Sequence, residues 1–115
     1  MDERAYQHLA DATFRRLEDA LKDVDAEDVD VERAGDVLTL TFRGGKKCVV
    51  NTQRPTRQIW LAANARAWHF SWSAKDERWL DDKGQTNEDG TPVELYGSLK
   101  RIVREGAGVD IDPKP

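Results

Sequence analysis

Acidic residues are concentrated between positions 18 and 32 of this chain. Carboxylate oxygens are hard ligands, which suit magnesium, calcium, manganese and iron better than zinc or copper(I). The stretch contains no histidine or cysteine and lacks the spacing of an EF-hand loop, so any metal site here should be open, hydrated, weak and unselective. Lys22 is its only basic residue, and its acids are Glu18, Asp19, Asp23, Asp25, Glu27, Asp28, Asp30 and Glu32.

The same acids could also have a role that involves no metal. Asp19 and Asp23 stand four residues apart on a predicted helix, where like charges repel. Acids at a helix C-terminus also meet the negative end of the helix dipole, at a cost of ~0.3–1 kcal/mol each. Such unfavourable choices indicate function, but a solvated face that aids solubility also accounts for the charge, and a docking surface for a basic partner is a third possibility.

Few other groups could do chemistry. His8 and His69 are the only histidines, and Cys48 is the only cysteine. One cysteine can form no internal disulfide and cannot hold an iron–sulfur cluster alone, so we expect Cys48 to be buried in a strand. No nucleophile–base pair stands out, and no Lys-Ser/Thr pair follows the glycines at 44–45 as in a P-loop. The sequence therefore predicts a binding protein rather than an enzyme.

Two amphipathic helices are predicted to flank a run of strands. Apolar residues spaced by three and four predict the first helix from Glu3 to Asp23. The second should begin with Thr91 as its N-cap, followed by Pro92 and Glu94, and should end at Gly106 in a left-handed conformation. Strands are predicted near 29–32, 37–42, 47–51, 57–62, 67–73 and 79, from alternating apolar and polar residues.

Short turns between these strands predict antiparallel neighbours, and both helices must bury their apolar stripes against one face of the sheet. The predicted fold class is α+β: a two-layer sandwich of one antiparallel sheet with the N- and C-terminal helices packed on one face, in a single domain over 1–115. Ile59 and Leu61 should face the helices, which leaves Trp60 on the open face. There it is either a binding anchor or packs on neighbouring side chains.

Charge and composition exclude some partners. A net charge of −4 and an isoelectric point near 5.2 disfavour nucleic acid, which requires a cationic surface. No apolar stretch is long enough to span a membrane, and no apolar run follows the first residues as in a signal peptide. We expect a cytoplasmic protein.

A motif links the third and fourth predicted strands. The segment 51–62 reads N-x-Q-x-P-x-x-Q-I-W-L-A, which resembles the signature of frataxins. The Leu-Ala-Asp triplet at 9–11, the Trp-His-Phe strand at 68–70, Trp79 and the closing helix agree with the resemblance, which extends from about Tyr6 to Val103.

The resemblance implies a fold and a function. Frataxins share the sandwich predicted above, bind ferrous and ferric iron weakly, and regulate iron–sulfur cluster assembly by contacting a cysteine desulfurase and a scaffold protein. By position, the iron-binding residues would be Glu18, Asp19, Asp23 and Asp25, extending to Glu27, Asp28 and Asp30. The partner surface would contain Trp60 with Asn51, Gln53 and Gln58, and the protein would be a monomer without iron.

Alternatives to this function remain. The chain could be a ferroxidase that stores ferric iron, although no Glu-x-x-His pattern is present, or a docking module that needs no metal. A haem-handling role is more remote, with His8, His69 and Cys48 as possible axial ligands. Lys22, expected to pair with Glu18 four residues earlier, departs from the acidic pattern of bacterial frataxins and should alter iron affinity.

Overall fold

The structure, a computed structural model, describes residues 1–114. Helix α1 (Glu3–Leu21) comes first and helix α2 (Leu95–Ala107) last. Between them lie six strands and a short 3₁₀ turn at Arg54–Thr56. The strands are β1 (Val29–Ala34), β2 (Val37–Phe42), β3 (Lys47–Gln53), β4 (Gln58–Ala63), β5 (Arg66–Ser73) and β6 (Arg78–Asp81).

The six strands form one antiparallel sheet in the order β1-β2-β3-β4-β5-β6. Alternate strand residues, among them Leu40, Ile59 and Phe70, are fully buried in one core with the apolar stripes of both helices. The predicted α+β sandwich, with its helices on one sheet face and the other face open, is therefore confirmed. Within residues 1–114 no helix is long and apolar enough to cross a membrane.

Helix α1 ends two residues before the predicted position. Its N-terminus is capped by Asp2, whose carboxylate accepts a hydrogen bond from the backbone N–H of Ala5 at 2.7 Å. At the other end, the N–H of Lys22 donates to the carbonyl of Asp19, only three residues back. This tighter bonding ends the α-helix at Leu21, so Asp23 lies in the following turn.

Both predicted boundaries of helix α2 are wrong. Glu94, not Thr91, is its N-cap: the Glu94 carboxylate accepts from the N–H groups of Tyr96 and Gly97. Pro92 therefore lies outside the helix. Gly106 lies inside it, where an added Cβ would stand 2.7 Å from the Phe42 ring, so this glycine permits close packing. Gly108, with φ of 67°, is the left-handed residue that ends the helix.

Long-range hydrogen bonds of Tyr6 and Thr13 attach α1 to the sheet. The Tyr6 hydroxyl donates to the carbonyl of Gln58 at 2.7 Å and accepts from the N–H of Gln53 at 3.1 Å. The indole N–H of Trp79 donates to the hydroxyl of Thr13 at 2.9 Å. Tyr6 thus fixes the β3–β4 connection, where the N-x-Q-x-P-x-x-Q motif lies.

Cys48 is fully buried in β3, as predicted. Burial raises the pKa of its thiol from 9.0 to about 12. The neutral thiol is therefore a core residue rather than a nucleophile or metal ligand.

Candidate functional site

The predicted iron-binding acids lie along one edge of the molecule, which we call the acidic ridge. Its residues come from the last turn of α1, the connection to β1, and β1 itself, which is an edge strand of the sheet. Glu18 and Asp28 are half-buried, and the other members are exposed. The acidic ridge consists of Glu18, Asp19, Asp23, Asp25, Glu27, Asp28 and Asp30.

Cations of the same chain pair with the acidic ridge. Arg33 on β1 binds Glu18 on α1 and also lies over the Phe14 ring, 5.1 Å from its centroid. This pair joins the end of α1 to β1. The pairing of Lys22 with Glu18 that we predicted is wrong, because Arg33 occupies Glu18 and leaves Lys22 to bind Asp19 at 3.0 Å. The interaction with Asp19 raises the pKa of Lys22.

Other residues of the acidic ridge also form contacts within the chain. Arg43 binds Asp28 at 3.0 Å and approaches Glu27 at 4.0 Å. The Asp25 carboxylate accepts from the backbone N–H of Glu27 at 2.9 Å, which stabilises the turn before β1. Asp23 and Asp30 form no ion pair within residues 1–114.

The ridge carboxylates do not converge. In the described part of the chain, no three His, Cys, Asp or Glu side chains lie close enough together to hold a metal ion. The ridge is therefore a row of separate carboxylates, several of them with a cation already bound. Such a surface can attract cations electrostatically and supply one or two oxygen ligands at a time, with water completing the coordination.

The predicted partner residues Asn51, Gln53, Gln58 and Trp60 come together on the open face of the sheet; we call them the sheet patch. Asn51 lies opposite Trp60 in the β3–β4 pair, and Gln53 lies opposite Gln58. The indole N–H of Trp60 donates to the side-chain oxygen of Gln58 at 2.9 Å. All four side chains are half-buried, so Trp60 is a partly covered, hydrogen-bonded residue and not a freely exposed one.

Three neighbours of the sheet patch were not predicted as part of the partner surface. His69 on β5 lies opposite Trp60 and stacks on it, with ring centroids 4.1 Å apart and planes at 11°. The Gln58 amide donates to the Ser71 hydroxyl and to the Asp82 carboxylate, both at 3.1 Å. Strand register makes these residues neighbours: Asn64 and Ala65, with φ of 54° and 60°, form a two-residue turn that sets Trp60 opposite His69.

The residues considered for haem lie apart. His8 is exposed on α1, His69 lies on the open sheet face, and Cys48 is in the core between these two layers. They supply no common pair of axial ligands.

Comparison with known proteins decides the family. Residues 1–105 match the frataxin-like domain family. The iron–sulfur cluster assembly protein CyaY of Pseudomonas fluorescens (strain Pf0-1) is 36% identical over 112 residues, which cover 97% of this chain and 94% of that protein. The CyaY protein of Paraburkholderia phymatum is 35% identical over 115 residues, the full length of both chains.

The chain belongs to the frataxin-like family.

Solved frataxin structures agree with this membership. The frataxin of Psychromonas ingrahamii superposes with a TM-score of 0.82 at 25% identity, covering 100% of both chains. A trimeric frataxin from the yeast Saccharomyces cerevisiae, complexed with ferrous iron, has the same fold, with a TM-score of 0.69 at 24% identity over 88% of this chain and 87% of that one. The resemblance seen in the motif at 51–62 is therefore confirmed, and the named bacterial relatives are iron–sulfur cluster assembly proteins.

Proposed function

We propose that this frataxin-like protein acts in iron–sulfur cluster assembly as an iron-responsive binding protein in the cytoplasm. It binds ferrous or ferric iron weakly at the acidic ridge and contacts a cysteine desulfurase and a scaffold protein. It acts by binding rather than by catalysis and is a monomer without iron. Membership of the family supports the process, and the placement of charges supports the two binding roles.

The observation that carries the proposal is the layout of the ridge. Seven carboxylates from α1, the following turn and β1 share one edge, because a short connection links α1 to the edge strand β1, and the Glu18–Arg33 pair also joins the two. Asp23, Asp25 and Asp30 are exposed there without a cation bound from residues 1–114. A divalent ion is expected to associate first near these three, where the negative potential is least compensated.

Iron and a basic partner would compete for this surface. Each bound cation lowers the negative charge of the ridge and so weakens its attraction for a basic protein surface. Iron supply would then alter the binding of the desulfurase, which is the regulatory part of the proposal.

The sheet patch supplies the second contact. Trp60 offers a large apolar ring, and Asn51, Gln53 and Gln58 offer amides around it on the open face. Aromatic rings surrounded by polar groups are typical of the residues that dominate protein interfaces.

A metal-independent docking role is favoured by one separate observation. Glu18, Asp19 and Asp28 already bind Arg33, Lys22 and Arg43. The same carboxylates can exchange these side chains for the arginines and lysines of a partner without any metal.

An anaerobic Fe(II) titration of isotope-labelled protein, followed by NMR at every backbone amide, tests the proposal. We expect broadening confined to residues 18–30, with the strongest effect around Asp23 and Asp25. The double variant Asp23→Asn/Asp30→Asn should abolish most of it. Glu88→Gln, which removes an exposed acid in the loop after β6, is the matched control and should change nothing.

Binding of the cysteine desulfurase is then measured with and without iron. Weaker binding when iron is added supports the regulatory role. Binding that is unchanged by iron, together with an Fe(II) titration that leaves residues 18–30 unaffected, would favour the docking module and refute the iron-responsive protein.

A further inference from the structure

Three side chains on the open face form a connected arrangement with Trp60. Gln58 accepts from the Trp60 indole N–H and donates to the Asp82 carboxylate. His69 stacks on the Trp60 ring and places its Nδ1 3.8 Å from the same Asp82 oxygen. Trp60 is thus held at its edge by Gln58 and on one face by His69, and both of these contact Asp82.

The charge of His69 affects both of its contacts. A neutral imidazole stacks on an indole through dispersion, whereas an imidazolium adds a cation–π attraction, since the indole face is negative. An imidazolium at 3.8 Å from a carboxylate is also within ion-pair distance. Histidine is the side chain whose charge changes near neutral pH, so both attractions can be gained or lost there.

The surroundings of His69 contain one charged partner. On β4 the facing side chains are Trp60 and Gln58, which are uncharged. Beyond β6, Asp82 is the only charged group of residues 1–114 within ion-pair distance of the imidazole. Both helices cover the opposite face of the sheet.

We propose that His69 is a positioning residue for Trp60, and that its protonated form, which can pair with Asp82, fixes the indole in place and couples the sheet patch to pH. The effect on partner binding rests on the proposed function, in which the sheet patch contacts the assembly machinery. A fixed indole loses less rotational freedom on binding, so the partner should bind more tightly when His69 is protonated.

The first test needs no partner. The side-chain Nε1–H signal of Trp60 is followed by NMR from pH 5 to pH 8 in the full-length protein. We expect it to shift along with the titration of the His69 ring. His69→Phe, which keeps an aromatic stack but cannot be protonated, should abolish this shift, and Asp82→Asn should reduce it. His8→Gln, which removes the exposed histidine of α1, is the control and should leave it unchanged. A Trp60 signal that ignores the titration of His69, or that shifts equally in His69→Phe, overturns the proposal.

The second test separates this proposal from the proposed function. Binding of the cysteine desulfurase and of the scaffold is measured at pH 6 and pH 8 for the wild type and for His69→Phe. We expect the wild-type affinity to gain about two- to fivefold more than that of the variant at the lower pH, the effect of a partly exposed cation–π contact. Equal pH dependence in both proteins refutes the coupling while leaving the proposed function intact. Absence of binding at either pH, with the Trp60 shift present, refutes the partner role of the sheet patch and leaves the positioning role of His69 established.

Discussion

The acidic ridge and the sheet patch are built in opposite ways. Ridge side chains are mostly exposed, and each contacts at most a neighbouring cation or its own turn. In the sheet patch, Gln58 alone joins Trp60, Ser71 and Asp82 by hydrogen bonds. The ridge therefore acts through summed charge, which tolerates the loss of single members, whereas the patch acts through fixed geometry, which a single substitution can disrupt.

Alkaline pH should disrupt the acidic ridge and the sheet patch together, because the elements that carry them share one core. Burial raises the pKa of the Cys48 thiol to about 12 and also raises the pKa of the Tyr6 hydroxyl. The unfolded chain thus loses these protons first, so the stability they contribute is complete below pH 9 and is lost as the pH rises. We expect the free energy of unfolding to fall by roughly 1.4 kcal/mol per pH unit above pH 9 through Cys48 alone.

Denaturant unfolding at pH 8, 9, 10 and 11 measures this slope. Cys48→Ala removes the thiol, so its stability should decline less steeply with pH than that of the wild type, whatever the cost of the cavity. Equal slopes in the two proteins would show that the thiol ionises without unfolding.

Tyr6→Phe should damage the sheet patch and spare the ridge. The variant leaves the Gln58 carbonyl and the Gln53 N–H without their partner, at a cost of about 1–3 kcal/mol. Tyr96→Phe on α2 is the matched control and should cost less, because no hydrogen bond of the Tyr96 hydroxyl exists within residues 1–114. Thermal unfolding measures the loss of stability in both variants. The Fe(II) titration of Tyr6→Phe should match that of the wild type; a change at residues 18–30 would show that the acidic ridge and the sheet patch are coupled.

Gln58→Leu should show whether partner binding depends on the hydrogen bonds of the sheet patch or only on the presence of Trp60. Trp60 stays, but its indole N–H loses its acceptor, and Asp82 loses a donor. We expect partner affinity to fall by about tenfold, the equivalent of one net hydrogen bond. Gln85→Leu, in an exposed loop, serves as control. If calorimetry finds the same affinity for Gln58→Leu as for the wild type, the network is irrelevant to binding.

Removing cations from the ridge should have the smallest effect. Arg33→Gln/Arg43→Gln frees Glu18 and Asp28, and we expect Fe(II) affinity to rise about two- to fivefold, in line with the ~0.2–1 kcal/mol of exposed ion pairs. Arg104→Gln removes a similar pair with Asp110 outside the ridge and should leave Fe(II) affinity unchanged. A gain of the same size in the control would indicate net charge rather than local competition.

The sequence predicts the layers of this fold well and the ends of its helices less well. Alternation of apolar residues correctly places Ile59 and Leu61 in the core and Trp60 on the open face. Helix ends depend on competing local contacts: Thr91 has an N-cap side chain, but its hydroxyl bonds to Asp89 and Asn87, and Glu94 caps α2 instead. Pattern rules cannot choose between such neighbouring caps.

The candidate site is also predictable only in part: the sequence indicates its members but not their contacts. The members of the ridge can be read from composition, since acids so close in the chain must lie near one another. Their ion pairs cannot, because Arg33 reaches Glu18 across 15 residues and displaces the nearer Lys22. The contacts of His69 and Asp82 with the patch depend on strand register, which for β4 and β5 is set by the unusual left-handed Asn64 and Ala65.

The strict succession of the strands has a consequence for the order of folding. Each strand pairs with its neighbour in sequence, so the sheet can grow by closing one short hairpin at a time, with little loss of chain entropy per step. Helix α1 depends on more distant contacts: apart from the Glu18–Arg33 pair, its hydrogen bonds to the sheet span 52 residues from Tyr6 to Gln58 and 66 residues from Thr13 to Trp79. It cannot complete its docking until β6 exists, and pulsed hydrogen exchange during refolding should show the other β3–β4 amides protected before the Gln53 amide, which bonds to Tyr6. Helix α1 therefore completes its packing only after the strands that follow it in the chain have paired.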